Sequence, residues 1–188
     1  ILSGKNNQNS EIRDAVFGAS GNGNTASISG GAIKTDSNLA IITSSFVSSG
    51  TTQNNTVSDE YGGGAIFTAG ANELDIISST FTNNSSAPNG GAILTKHNSQ
   101  YNSFLSIAES AFTGNTSSND GGAVYNTVDA IIVNTNFQNN TANGLGGAIY
   151  NAASGDLSIV ADEKDVILSG NTAGGVSNAI YNLGTTTL

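Results

Sequence analysis

The tetrapeptide Gly-Gly-Ala-Ile/Val recurs along this chain, starting at Gly30, Gly63, Gly90, Gly121 and Gly146, with a worn copy at Ser177-Asn178-Ala179-Ile180. Successive starts lie 33, 27, 31, 25 and 31 residues apart. Self-similarity at such periods belongs to arrays of stacked units, each too small to bury its own apolar face. A second motif, Leu-x-Ile-x-x-Ser-x-Phe-x-x-Asn, alternates with the first. It reads Leu74, Ile76, Ser79, Phe81, Asn84, then Leu105, Ile107, Ser110, Phe112, Asn115, then Ala130, Ile132, Thr135, Phe137, Asn140. An earlier copy, Leu39, Ile41, Ser44, Phe46, has Ser49 in the Asn place, and in a last copy Leu168 takes the Phe place ahead of Asn171. From Phe81, Phe112 and Phe137 to the next Gly pair the distance is always 9 residues. One arc of the unit is therefore fixed in length, while the stretch between Gly-Gly-Ala and Leu-x-Ile, longest at 95–104, and the excursion 48–62 absorb the variation, as corner loops of a stacked array do.

Leu-x-Ile places two apolar side chains on one face with a polar one between them, the alternation of a pleated strand. A helix needs apolar spacings of three and four, which are missing, and the Gly pairs cost it about 1 kcal/mol per Gly. Leucine-rich repeats need more Leu than the chain has. The spacing predicts an all-β right-handed parallel β-helix of six to seven rungs, one domain over 1–188, with irregular first rungs over 1–29 and regular repeats over 30–182. In such a coil like stacks on like, about 4.8 Å apart. Phe46, Phe81, Phe112 and Phe137 should form an inner column. Asn84, Asn115, Asn140 and Asn171 should form a ladder at a corner that exploits the tolerance of Asn for left-handed backbone, and the Gly pairs should mark a corner where side chains would collide. Ile1-Leu2-Ser3-Gly4 echoes Ile167-Leu168-Ser169-Gly170, which reads as a further rung at the start.

Composition agrees and narrows the function. The 24 Gly and single Pro favour many tight turns over helix stops. With a net charge of −9 and only five Lys and Arg, the surface repels nucleic acid and other polyanions. No apolar run approaches the roughly 18 residues that span a bilayer. Cys is absent, so stability must come from the stacked core and no thiolate metal site can form.

Gly-Gly-Ala-Ile/Val alternating with Phe-x-x-Asn over 30–182 resembles the polymorphic outer-membrane protein repeat of autotransporter passenger domains. The resemblance implies a right-handed β-helix displayed on a bacterial surface, commonly adhesive, followed in the whole protein by a membrane β-barrel that exports it. This chain would then be a passenger fragment, contacting a host or bacterial surface protein or glycan, or associating with itself.

Several other β-helices are polysaccharide lyases or hydrolases, so a polysaccharide-binding or polysaccharide-degrading role is the alternative. Such sites need clustered carboxylates. The densest acidic group, Asp156, Asp162, Glu163 and Asp165, lies in a turn-like insertion and reads as a solvated loop, with Asp162, Glu163 and Asp165 a weak calcium candidate. Asp59 and Glu60 read as solvated turn residues. His97 is the one histidine and Arg13 the one arginine, so neither a His metal cluster nor a charge-neutralising pair is offered; no catalytic residue and no cofactor is assigned. Ice binding needs a flat Thr array, and the Thr positions do not repeat in register along the sequence.

One surface feature remains. After each repeated Ala comes an apolar β-branched residue, expected to point inward, so its successor points outward. That column is Lys34, Phe67, Leu94, Tyr125, Tyr150 and Tyr181, expected as an exposed strip that either shields the sheet by stacking on itself or touches a sugar or protein. Phe67, Tyr125, Tyr150 and Tyr181, with His97 and Tyr101 in a nearby loop, are the candidate contact residues.

Overall fold

The computed structural model describes residues 10–51, 61–70, 73–100 and 102–187, and over the regular repeats its strands follow the repeat. The Leu-x-Ile segments Ser10–Arg13, Leu39–Ile42, Glu73–Ile77, Phe104–Ala108, Asp129–Val133 and Leu157–Val160 pair in parallel as one sheet, which Thr186–Thr187 extends. The Phe segments form a second sheet: Val16–Phe17, Ser45–Val47, Thr80–Thr82, Ala111–Thr113, Asn136–Gln138 and Leu168–Ser169. Two-residue strands Thr25–Ala26, Gly50–Thr51, Ser85–Ser86, Thr116–Ser117, Thr141–Ala142 and Thr172–Ala173 form a third. The segments after Gly-Gly-Ala close the coil as a fourth: Ile33–Thr35, Ile66–Ala69, Ile93–Lys96, Val124–Asn126, Ile149–Asn151 and Ile180–Asn182. The described residues contain no helix.

The chain is thus a parallel β-solenoid of about five turns, slightly fewer than the six to seven rungs expected. Two sheets hold six strands, which five turns separate. The seventh strand of the others is a two-residue end piece, and one of these, Val176–Ser177, folds back antiparallel on Thr172–Ala173 instead of starting another turn. At the other end, 10–35 is more regular than its sequence: all four of its strands pair in register with the turn above. Phe17 lies in the aromatic column, its ring 4.6 Å from that of Phe46. Only 18–24, with its Ala19–Asn22 bridge, breaks the pattern. The Ile1-Leu2-Ser3-Gly4 echo lies outside the described residues, as do Asp59 and Glu60.

Alternation sends one residue class inward. Leu39, Ile41, Leu74, Ile76, Leu105, Ile107, the Ala and Ile or Val after each Gly pair from Gly63 on, and Phe46, Phe81, Phe112 and Phe137 are buried in one continuous core, with Ala32 and Ile33 partly buried against it. The two glycines of each pair serve different purposes. Gly121 has φ 65°, and a Cβ there would lie 2.4 Å from its own Val124 carbonyl; a Cβ on Gly122 would lie 2.0 Å from the Gly147 carbonyl one turn on. The first therefore answers to backbone shape and the second to close approach of the neighbouring turn.

The Asn ladder forms, but its backbone differs from expectation. The left-handed residue is the one before each ladder position, namely Ser48, Asn83, Gly114, Asn139 and Gly170, and a second such corner runs through Asp14, Thr43, Ser78, Glu109 and Asn134. Leaving the ladder Asn out of the left-handed region turns its amide inward to the next turn. Asn84 Nδ2 donates to the Phe46 carbonyl (3.1 Å) and to Asn115 Oδ1 (3.0 Å), and the Ser49 amide donates to Asn84 Oδ1 (3.0 Å). At the other corner the buried Ser column does similar work: Ser79 Oγ donates to the Ile77 carbonyl and accepts from the Ser44 amide.

Candidate functional site

Strand alternation directs Lys34, Phe67, Leu94, Tyr125, Tyr150 and Tyr181 away from the core, and parallel pairing stacks them in register. Lys34 Nζ sits 5.3 Å from the Phe67 ring centre, a cation–π cap on one end. Tyr125 and Tyr150 stack at 4.7 Å and Tyr150 and Tyr181 at 5.6 Å. The expectation of an exposed strip fails over half its length. Phe67 is 2% exposed, Leu94 fully buried and Tyr125 5% exposed, a second small core outside the first. Only Tyr150 and Tyr181 are half-exposed. A large apolar side chain on an outer face is stable when covered, and in one dimension a sequence records direction but not cover.

Next to this column runs a ladder that sequence reasoning missed. Thr95 Oγ1 donates to Asn126 Oδ1, Asn126 Nδ2 to Asn151 Oδ1, and Asn151 Nδ2 to Asn182 Oδ1, each at 2.7 Å. The signal was available as the recurring Tyr-Asn of Tyr125-Asn126, Tyr150-Asn151 and Tyr181-Asn182.

Of the other candidates, His97 is exposed and its amide donates to Thr127 Oγ1, and Tyr101 lies outside the described residues. Asp162, Glu163 and Asp165 are exposed, and among the described residues no three acidic or His side chains are grouped to hold a metal ion. Lys164 pairs instead with Glu109, whose carboxylate also accepts from Asn134 Nδ2; these contacts lower its pKa against a smaller opposing effect of burial.

Asp75 shows the opposite shift. Partial burial, then the nearby Glu73 charge, raise its pKa, and Ser106 offsets this in part. Its folded-state pKa therefore lies above the unfolded one, so ionisation costs stability at neutral pH, and the cost is relieved as pH falls through the folded pKa. Asp75→Asn should raise the melting temperature at pH 7, and the gain should vanish at about pH 3, where the wild-type carboxyl is protonated in both states. A gain that persists in acid would mean the charge is not its source.

The third sheet carries a further correction. Thr25, Gly50, Ser85, Thr116, Thr141 and Thr172 stack as one column, so Thr positions do fall in register there. Unequal corner loops and the Gly50 and Ser85 replacements hide this along the chain. The column borders a concave groove and does not form a flat array.

No curated protein and no solved structure matches the chain. The family model described as the Chlamydia polymorphic membrane protein repeat matches residues 78–96, 109–127 and 134–152. Each match starts at a left-handed corner residue, Ser78, Glu109 or Asn134, runs through the Phe strand and its ladder Asn, and ends on or just past the strand after the Gly pair. It thus covers the arc of fixed length and leaves out the variable loop and the Leu-x-Ile strand. Three consecutive turns of this solenoid thus carry matches to the polymorphic membrane protein repeat, consistent with a repeat protein of the polymorphic outer-membrane type.

Proposed function

We propose that the chain is a rod-like, right-handed segment of a bacterial surface protein, carried outside the cell in the manner of an autotransporter passenger, and that its role is adhesive or structural rather than catalytic. The observation that carries this reading is the repeat match laid on three successive turns of a β-solenoid. The physics supports it: stacking and ladder contacts hold the fold from within, which leaves outer faces open to another cell's surface protein or glycan. Tyr150 and Tyr181, the half-exposed end of the aromatic column, are the proposed contact, since a tyrosine face offers apolar area and its hydroxyl a polar tip.

The test is adhesion of the purified chain to intact cells, with and without the pair of substitutions Tyr150→Ser and Tyr181→Ser. Adhesion should fall several-fold while the melting temperature stays close to wild type, because neither ring belongs to the inner core. Unchanged adhesion with a lowered melting temperature would reduce the column to a stacking device.

A further inference from the structure

The third sheet's strands are only two residues long between turns, and this leaves a groove of about 480 Å³ running across the turns. The buried Thr51, Ser86 and Ser117 serve as its floor, and the more exposed Ser85, Ala87, Thr116, Ser118, Thr141 and Asn143 as its rim. From this groove we infer a binding site for an extended, uncharged polysaccharide chain lying along the solenoid.

Three observations select that ligand. First, none of the nine lining residues is ionisable, although the chain carries net charge −9; uronates and other acidic glycans find no cation there, and cations find no carboxylate. Second, the floor hydroxyls are occupied internally while three of the four rim hydroxyls are open, the fourth, Thr141 Oγ1, pairing with Thr172 Oγ1 at 3.3 Å. Thr51 Oγ1 pairs with Ser86 Oγ, and Ser117 Oγ donates to the Asn119 carbonyl. The hydroxyls of Ser85, Thr116 and Ser118 have no side-chain hydrogen bond among the described residues. A hydroxyl both donates and accepts, which matches a sugar hydroxyl of either polarity, and the rim repeats at the rung spacing of about 4.8 Å, as a polymer with its own repeat requires. Third, a peptide strand is disfavoured, because amides along the groove already pair from turn to turn: Thr116 with the Asn84 carbonyl, Ser118 with Ser86, Asn143 with Ser117. The edge needed for strand addition is absent.

This deepens the contact reading above and rests on it for its setting, but it uses a different face, so the two fail separately. The purified chain is titrated with malto-, cello- and N-acetylchito-oligosaccharides and with oligogalacturonate, followed by amide-resolved NMR. At least one neutral oligosaccharide should shift the amides of Ser85, Ala87, Thr116, Ser118, Thr141 and Asn143, and oligogalacturonate should not. Thr116→Arg, at an exposed site that tolerates a long side chain, should weaken that binding at least tenfold; Tyr150→Ser with Tyr181→Ser should leave it intact. Shifts elsewhere, preference for the uronate, no binding by any neutral oligosaccharide, or full binding by a folded Thr116→Arg protein would each overturn the site. Loss of cell adhesion in the tyrosine variant with the groove shifts intact would keep both proposals apart and standing.

Discussion

Phe112→Ala should destabilise the solenoid by about 3–5 kcal/mol, among the largest effects expected of an apolar truncation here. Phe112 is fully buried, its ring centre 4.6 Å from Phe81 and 4.8 Å from Phe137, and nearly parallel to both. Those separations are the rung spacing itself, because in-register parallel strands carry the rings. Truncation removes one ring from two stacks and opens a cavity that neither neighbour can fill without leaving its register. Stability in a solenoid is a sum of units and nearest-neighbour interfaces, so both interfaces of the turn weaken together. Phe112→Leu should cost far less, since Leu keeps most of the buried apolar volume that Ala gives up; Leu168, which pairs with Phe137 at the end of the sheet, is 37% exposed and does not fill the inner column. Urea unfolding followed by circular dichroism gives the comparison; an alanine variant as stable as the leucine one would mean that the column contributes little packing.

What could be read along the chain was what repeats at fixed spacing. From Phe81 on, the Phe column, the Asn ladder and the Gly corner all lie within an arc of constant length, so alternation alone sets their direction. Phe17 escaped because the 18–24 interruption separates it from any recognisable Asn or Gly pair. The second left-handed corner escaped for another reason: Asp14, Thr43, Ser78, Glu109 and Asn134 share no side-chain type, and the strain of about 1–2 kcal/mol at such a residue is offset by inter-turn hydrogen bonds that no local pattern displays. The cover over Phe67, Leu94 and Tyr125 is a tertiary fact with the same property. Direction is periodic, whereas burial on an outer face depends on what folds over it.

Asn115 joins the two best-read features, and its replacement should be nearly as damaging as loss of the Phe ring. Asn115 Oδ1 accepts from the amide and from Nδ2 of Asn84, both at 3.0 Å, and its own Nδ2 donates to the Phe81 carbonyl (3.0 Å) and to Asn140 Oδ1 (2.9 Å). All of these groups are buried. Asn115→Ala removes four hydrogen bonds and strands polar groups of two neighbouring turns where water cannot follow. At about 1–3 kcal/mol for each group left without a partner, and with losses in one network falling short of additivity, the expected cost is about 3 kcal/mol. Asn115→Asp is the more telling variant. At neutral pH a carboxylate keeps the two bonds from Asn84 but turns an acceptor toward the Phe81 carbonyl and Asn140 Oδ1, so burial and repulsion raise its folded-state pKa. A raised pKa means a penalty present at neutral pH and relieved as pH falls through the folded value, when the protonated acid can again donate once. The urea midpoint of Asn115→Asp, measured against wild type, should therefore recover on acidification while that of Asn115→Ala does not. Equal midpoints for the Asp variant and wild type at pH 7 would show that the ladder tolerates a charge, which a closed chain of buried amides should not.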